Sequence, residues 1–485
     1  MFEHLPTLHP ASPNPPLASR REMIRRAACG FGHVALLGLL HESSRADAAA
    51  QVAANPFAPR LPHFVSRAKR VIFIFLHGGV SHIDSFDPKP KLTKWDGRPL
   101  PFDRPLQFAG TGNLMKSPWQ FRNYGQSGLP VSDLWPHLGT VVDEICFIRS
   151  MHVEQVDHGG AVLQLHTGSA VFPRPSVGSW VVYGLGSENQ DLPGFVVISP
   201  PLFHGSNQNY GSAFLPAAYQ GTAVGDTNIP MTEAKFANLR RAERTELLQR
   251  MQLDLVQRQN RRHLAHASDD SRLDARIEAF ELAFRMQGAA PEVMDLSTET
   301  RQTFQRYGVG EEPTDNFGRQ CLLARRLAER GVKFIQCTHS YKWDQHSDLF
   351  KMHKQNATEV DKPIAGLITD LKQRGMLDET LVVWGTEFGR TPVVQPAEKA
   401  DVGRDHNPYG FTLWMAGGGV RGGMAYGATD EFGYFATENP CSMYDFHATI
   451  LHLLGIDHTR LTYRYNGRDF RLTDVHGEIL HDIIA

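Results

Sequence analysis
Trp343-Asp344-Gln345-His346 sets a carboxylate and an imidazole two residues apart, just after an apolar run. Where such a segment turns, both side chains converge on one cation. That mixture of oxygen and nitrogen donors suits a divalent metal such as zinc, manganese or calcium. Glu387 closes another apolar run, in Trp384-Gly-Thr-Glu387-Phe-Gly389-Arg390. A carboxylate there is expensive to bury unless it is paired or metal-bound, and Arg390 is the alternative partner. Gly403-Arg404-Asp405-His406-Asn407 adds a carboxylate and an imidazole in a loop. His77 follows the apolar run Val71 to Leu76 and opens His77-Gly-Gly79. Asp157-His158-Gly-Gly160 completes the set. His158 fits a metal ligand or an oxyanion donor. Asp157 fits a ligand, a nucleophile, or simply the N-cap of the helix that follows.

These residues act together only if the fold carries them to one edge. Short buried strands are predicted at Val71–Leu76, Glu144–Arg149, Phe195–Ile198, Val332–Gln336 and Leu381–Trp384. Helical spacing is predicted over Val131–Val142, Ala161–Thr167 (closed by Gly168), Phe317–Arg330 (closed by Gly331) and Lys362–Arg374 (closed by Gly375). Strands alternating with helices imply an α/β fold, a mainly parallel sheet sandwiched by helices. Ligands then bind at the carboxyl ends of the strands, where the clusters lie. Pro88 to Leu129 reads as a long loop over the site. From Met231 the chain turns rich in Arg, Glu, Gln and Leu, with Leu247, Leu248, Met251 and Leu255 at helical spacing. This predicts a helical insertion spanning about 231–300.

The 485 residues carry a net charge of −2 without a long basic run, which argues against nucleic acid as a partner. Ser19-Arg20-Arg21-Glu22-Met23-Ile24 resembles a twin-arginine export motif. The apolar stretch behind it, Ala27 to Leu40, is too short and too glycine-interrupted for a membrane span, and small residues follow to Ala50. Residues 1–50 are therefore predicted to be a signal peptide. The mature chain, 51–485, is predicted to be extracytoplasmic (periplasmic or secreted), with no transmembrane segment. Cys29 falls in the signal, leaving Cys146, Cys321, Cys337 and Cys441, whose spacing matches neither a zinc knuckle nor a redox pair.

The order of these motifs resembles a family of exported bacterial proteins, abundant in planctomycetes and known as a domain of unknown function. That family is placed with the alkaline phosphatase and sulfatase-like superfamily. The resemblance rests on His77-Gly-Gly with Phe86-Asp87-Pro88-Lys89, Asp157-His158-Gly to Thr167-Gly168, and Phe214-Leu-Pro216 to Thr222. It continues through Trp343 to His346, Gly385-Thr-Glu387-Phe-Gly-Arg390-Thr-Pro392, Gly403-Arg-Asp405-His406, and Ala448 to Asp457. It covers nearly all of the mature chain.

The resemblance implies an alkaline-phosphatase-like sheet with one or two divalent metals above its carboxyl edge. Asp344 and His346 look like the Asp and His that bind one metal. His77 takes the slot of a metal-binding Asp, Glu387 that of an Asp-His pair, and His406 that of a late His ligand, with Asp405 beside it as a further candidate metal ligand. Arg390 or Arg404 would then stabilise the transferred group, and Asp157 or His158 would supply a nucleophile or general acid/base. There are departures. No Cys/Ser-x-Pro-x-Arg motif occurs, which excludes a formylglycine-type sulfatase. No Ser or Thr clearly fills the nucleophile slot at Val156-Asp157-His158, and Phe388 replaces a second-site His. Two readings follow. One is a metal-dependent hydrolase of phosphate or sulfate esters, its anionic ester on a glycan or lipid. The other is a non-catalytic extracytoplasmic binding protein that keeps the fold.

Overall fold
The computed structural model describes residues 55–485, apart from 104, 106–109, 111, 238, 240–244, 267–270 and 396–400. The predicted signal segment, with Cys29, lies outside the described residues. Strand β1 (Arg70–Leu76) runs down the middle of a nine-stranded sheet. The others are β2 (Ile145–His152), β3 (Phe195–Ile198), β4 (Thr222–Val224), β5 (Phe334–His339), β6 (Thr380–Gly385), β7 (Phe411–Ala416), β8 (Met424–Tyr426) and β9 (Cys441–Ser442). Their spatial order is β8-β2-β7-β6-β1-β5-β3-β4, with β9 also on β2. Only β7 runs against its neighbours, β2 and β6; the remaining pairings are parallel.

A strand of a mainly parallel sheet is buried on both faces, so it reads as an unbroken apolar run. Alternate β1 residues feed two cores. Ile72, Ile74 and Leu76 pack with α5 (Asp315–Glu329) and α6 (Leu349–Gln373). Val71, Phe73 and Phe75 pack with α1 (His158–Thr167), α2 (Val177–Leu185) and α7 (Met443–Leu453). Each such side chain, fully buried, contributes about 1.5–3 kcal/mol, so the sheet is a stiff base for whatever leaves its edge.

Some local expectations change. Val131–Val142 is not one helix. Leu129–Ser132 is a hairpin strand and Pro136–Gly139 a single turn of helix, because Pro130 and Pro136 lack the N–H a helix interior needs. The insertion becomes helical at Glu246–His266 and Ser271–Met294 (α3 and α4 of the insertion, ahead of α5), later than Met231. Leu282, Met286, Ala290 and Val293 dock α4 on the core. By contrast Leu247, Leu248, Met251 and Leu255 on α3 face outward, 46–72% exposed. Their periodicity marked a helix without marking a buried face. Helix α6 starts at Leu349, well before Lys362. The four described cysteines are free and buried, and no described helix is long and apolar enough to cross a membrane.

Candidate metal centre
Sheet register assembles the site. Leu76 pairs with His339 and Phe75 with Gly385, so the chain leaves β1, β5 and β6 at one level. Gly78 permits the close approach. With φ +125°, a Cβ there would lie 2.7 Å from the Asp344 backbone nitrogen, and its N–H donates to both Glu387 oxygens at 2.9 and 3.1 Å. A two-residue antiparallel pairing sets His406 opposite Arg390. From the other side comes α1. Asp157 accepts the Gly160 N–H at 2.9 Å as its N-cap, and His158 is the first helical residue.

His158, Asp344, His346 and His406 converge on one point. The Nε2 atoms of His158, His346 and His406 lie 3.2, 2.9 and 3.2 Å from Asp344 Oδ1, and those of His346 and His406 are 2.9 Å apart. Each ring turns its Nδ1 to an oxygen that can only accept. These are Glu387 Oε1 for His158 at 2.6 Å, Gln395 Oε1 for His346 at 2.6 Å, and the Val156 carbonyl for His406 at 2.7 Å. A neutral imidazole has one N–H. With that N–H on Nδ1, three Nε2 lone pairs and a carboxylate oxygen face one another. Such a set repels itself unless a cation stands among them or a ring is protonated. Ion bonds of about 2.0–2.1 Å in a tetrahedron would separate the donors by roughly 3.4 Å; four of the pairs lie at 2.9–3.2 Å and all within 4.8 Å. Three imidazoles and one carboxylate therefore fit a divalent metal, and the acceptors behind the rings match the outer support that metal-bound histidines need.

Burial pushes the Asp344 pKa up, but the three histidine rings against Oδ1, wherever they carry a proton, and the Arg390 charge hold it far below the usual carboxylate range. Glu387 is likewise lowered to about 2 against its own burial, through His158 and His77. His158, between two carboxylates, has its pKa raised despite burial. Burial lowers that of His406 to about 4. Arg390, fully buried, turns Nη2 to Asp344 Oδ1 at 2.7 Å and to the carbonyls of Gly78 and Trp343, while Nε and Nη1 donate to the carbonyls of Gly79 and Arg404.

Of the ten residues singled out from sequence, four form the cluster and three stand directly behind it. Glu387 is behind His158 and Arg390 behind Asp344. Asp405 is buried, 3.8 Å from His346 Nδ1, and accepts the His406 N–H. The other three sit elsewhere. His77 meets His204, Nε2 to Nδ1 at 3.0 Å, with its pKa lowered to about 3 by burial. Asp157 is spent as a cap. Arg404, expected to face a transferred group, instead pairs with buried Asp84 at 2.8 Å and binds the carbonyls of Thr391, Met115 and Lys116. Its fork is filled by the protein. Sequence reasoning missed Gln395, His204 and Tyr341, whose hydroxyl donates to Asp344 Oδ2. Tyr341 lies three residues before Asp344, the one local signal available.

The chain belongs to the family described as protein of unknown function DUF1501, whose model matches residues 68–484. No curated protein matches it. Solved structures similar to the chain include the lipoteichoic acid synthase LtaP from Listeria monocytogenes, at 11% identity over 87% of this chain and 80% of that one, TM-score 0.34. They also include the alkaline phosphatase of the Antarctic bacterium TAB5, at 10% identity over 80% and 98%, TM-score 0.32. The PsFucS1 sulfatase from Pseudoalteromonas sp. shows 12% identity over 82% and 68%, TM-score 0.35.

Proposed function
We propose that the protein is an exported, metal-dependent hydrolase of phosphate or sulfate esters. One observation carries this reading: three histidines, each with its Nδ1–H held by an acceptor, aim their Nε2 atoms at one carboxylate oxygen. The donor set favours zinc. Calcium takes six to eight oxygens and manganese prefers oxygen-rich sites. A bound divalent cation supplies polarisation of an ester oxygen and a lowered pKa for its water.

The remaining work falls to the chain itself. Glu387, Gln395 and the Val156 carbonyl fix the tautomers of the three histidines. Arg390 offsets the Asp344 charge. Side chains of Asp344 and His346 keep 18% and 25% exposure, against 7% and 1% for His158 and His406, so an ester would approach from the 344–346 side. The test is elemental analysis of the purified mature protein beside His406→Ala, followed by hydrolysis of p-nitrophenyl phosphate and p-nitrophenyl sulfate. Stoichiometric metal in the wild type, lost in the variant, together with turnover of either ester supports the reading.

A binding protein that keeps the fold is the second reading. It is favoured by His158, which opens the helix where the resemblance places a hydroxyl nucleophile and is itself drawn into the cluster. Metal without turnover of either ester would select it. Export is a separate part of the proposal, resting on Arg20 and Arg21. Changing both to Lys should trap the precursor in the cytoplasm, and normal export of that variant removes the twin-arginine route.

A further inference from the structure
We propose that Tyr341 is a positioning residue for the cation: its hydroxyl holds Asp344 Oδ2, so the carboxylate presents a single oxygen and a fifth position is left for water or an ester oxygen. The inference rests on the metal reading above. The two Asp344 oxygens have separate partners. Oδ1 faces His158, His346, His406 and Arg390 at 2.7–3.2 Å, whereas Oδ2 takes the Tyr341 hydroxyl. An ionised carboxylate has no proton to give, so the phenol is the donor.

The Tyr341 ring is flanked on several sides. It is packed by His77, His158, His204 and Phe203 at centroid distances of 4.9, 5.0, 4.8 and 5.1 Å. A freed Oδ2 could fold onto the cation as a second ligand atom, the bidentate mode that larger oxygen-seeking ions such as calcium use. Tyr341 therefore sets both the coordination number and the preference for zinc over calcium. It acts through Asp344 and is not itself a ligand.

Tyr341→Phe removes one oxygen and keeps the ring, so the metal-free variant should stay folded and unfold cooperatively at a somewhat lower temperature, one hydrogen bond to a charged group being lost. Zinc affinity, read by competition with a chromophoric chelator, should fall about 10–100-fold, with calcium affinity unchanged or raised. Loaded with cobalt(II), the variant should show a weakened, shifted visible band relative to the wild type, because the freed carboxylate oxygen adds a donor. Equal zinc affinity and identical cobalt spectra in the two proteins would overturn the role of Tyr341 while leaving the metal site intact. A visible phenolate-to-iron band in the ferric-loaded wild type, absent in the variant, would overturn it by making Tyr341 a ligand. A wild type that binds neither zinc nor cobalt would remove the metal reading, and this inference with it.

Discussion

His346 and His406 meet Nε2 to Nε2 at 2.9 Å, a contact two neutral rings make only when one carries a proton toward the other. Their Nδ1 atoms are already committed, to Gln395 and to the Val156 carbonyl. The contact is therefore a place for a positive charge, proton or metal, and the two must compete. His158 joins the same set with its pKa raised above the ordinary 6.5 by Asp344 and Glu387.

Competition fixes a sign. Protons occupy the metal-free site more fully as pH falls, beginning above 6.5 where His158 takes one up. Zinc affinity should weaken by about tenfold for each pH unit once a single proton is displaced. A chelator titration at pH 8, 7 and 6 reads this directly. An affinity flat across that range would mean that the histidines are not the ligands.

Glu387 is buried, and its Oε1 serves both His158 and the Gly78 N–H. Glu387→Gln keeps the shape and removes the charge that holds the His158 tautomer. Zinc binding should weaken about 10–100-fold, with a stability loss of about 1–3 kcal/mol from the mismatched Gly78 N–H. If Glu387 were itself a ligand, the variant would lose the metal outright, which elemental analysis after gel filtration distinguishes.

Away from the cluster, His82, His166 and His447 each bond a backbone carbonyl, of Gly433, Val162 and Leu165. Burial lowers the pKa of all three to about 4. Above pH 6.5 each is neutral whether folded or unfolded and adds no pH dependence. As pH falls from 6.5 toward 4, only the unfolded chain takes up the protons, so stability is lost in that window. The loss should be on the order of 1 kcal/mol or more per histidine. Thermal melts of metal-free protein from pH 7.5 to 4.5 should show a falling midpoint, less steep in a His447→Gln background.

How much of this was legible in the sequence follows from what each signal measures. Apolar runs located β1 and β6 within one residue at each end, because their buried faces carry no polar interruption, whereas β5, expected at Val332–Gln336, runs on to His339 through Gln336 and Thr338, which end the apolar signal early. Asp344, His346 and His406 were visible as ligand types at strand ends. The division of labour among their neighbours was not visible. Glu387 and Asp344 are both carboxylates at strand ends, and only the Gly78 backbone approach decides which lies behind a histidine. Gln395 and the Val156 carbonyl carry no chemical signature in sequence. On α3, periodicity reported a helix, but a two-sided environment is a tertiary property, and Leu247 and Met251 ended up exposed.

Arg404 is the sharpest case of a residue whose type pointed to substrate and whose surroundings point to the fold. Its guanidinium and the Asp84 carboxylate are both fully buried, Ser81 Oγ completes the Asp84 shell at 2.5 Å, and three carbonyls occupy the remaining donors. Arg404→Ala strands a buried anion and should destabilise the protein by about 3–5 kcal/mol. The double variant Asp84→Asn with Arg404→Ala should recover part of that loss, because no unpaired charge is left. Zinc bound per folded molecule should match the wild type in both, since neither group touches the four ligands. Thermal melts and metal content measured on the same preparations separate the roles. A wild-type melting temperature combined with lost ester turnover in Arg404→Ala would return Arg404 to the transferred group.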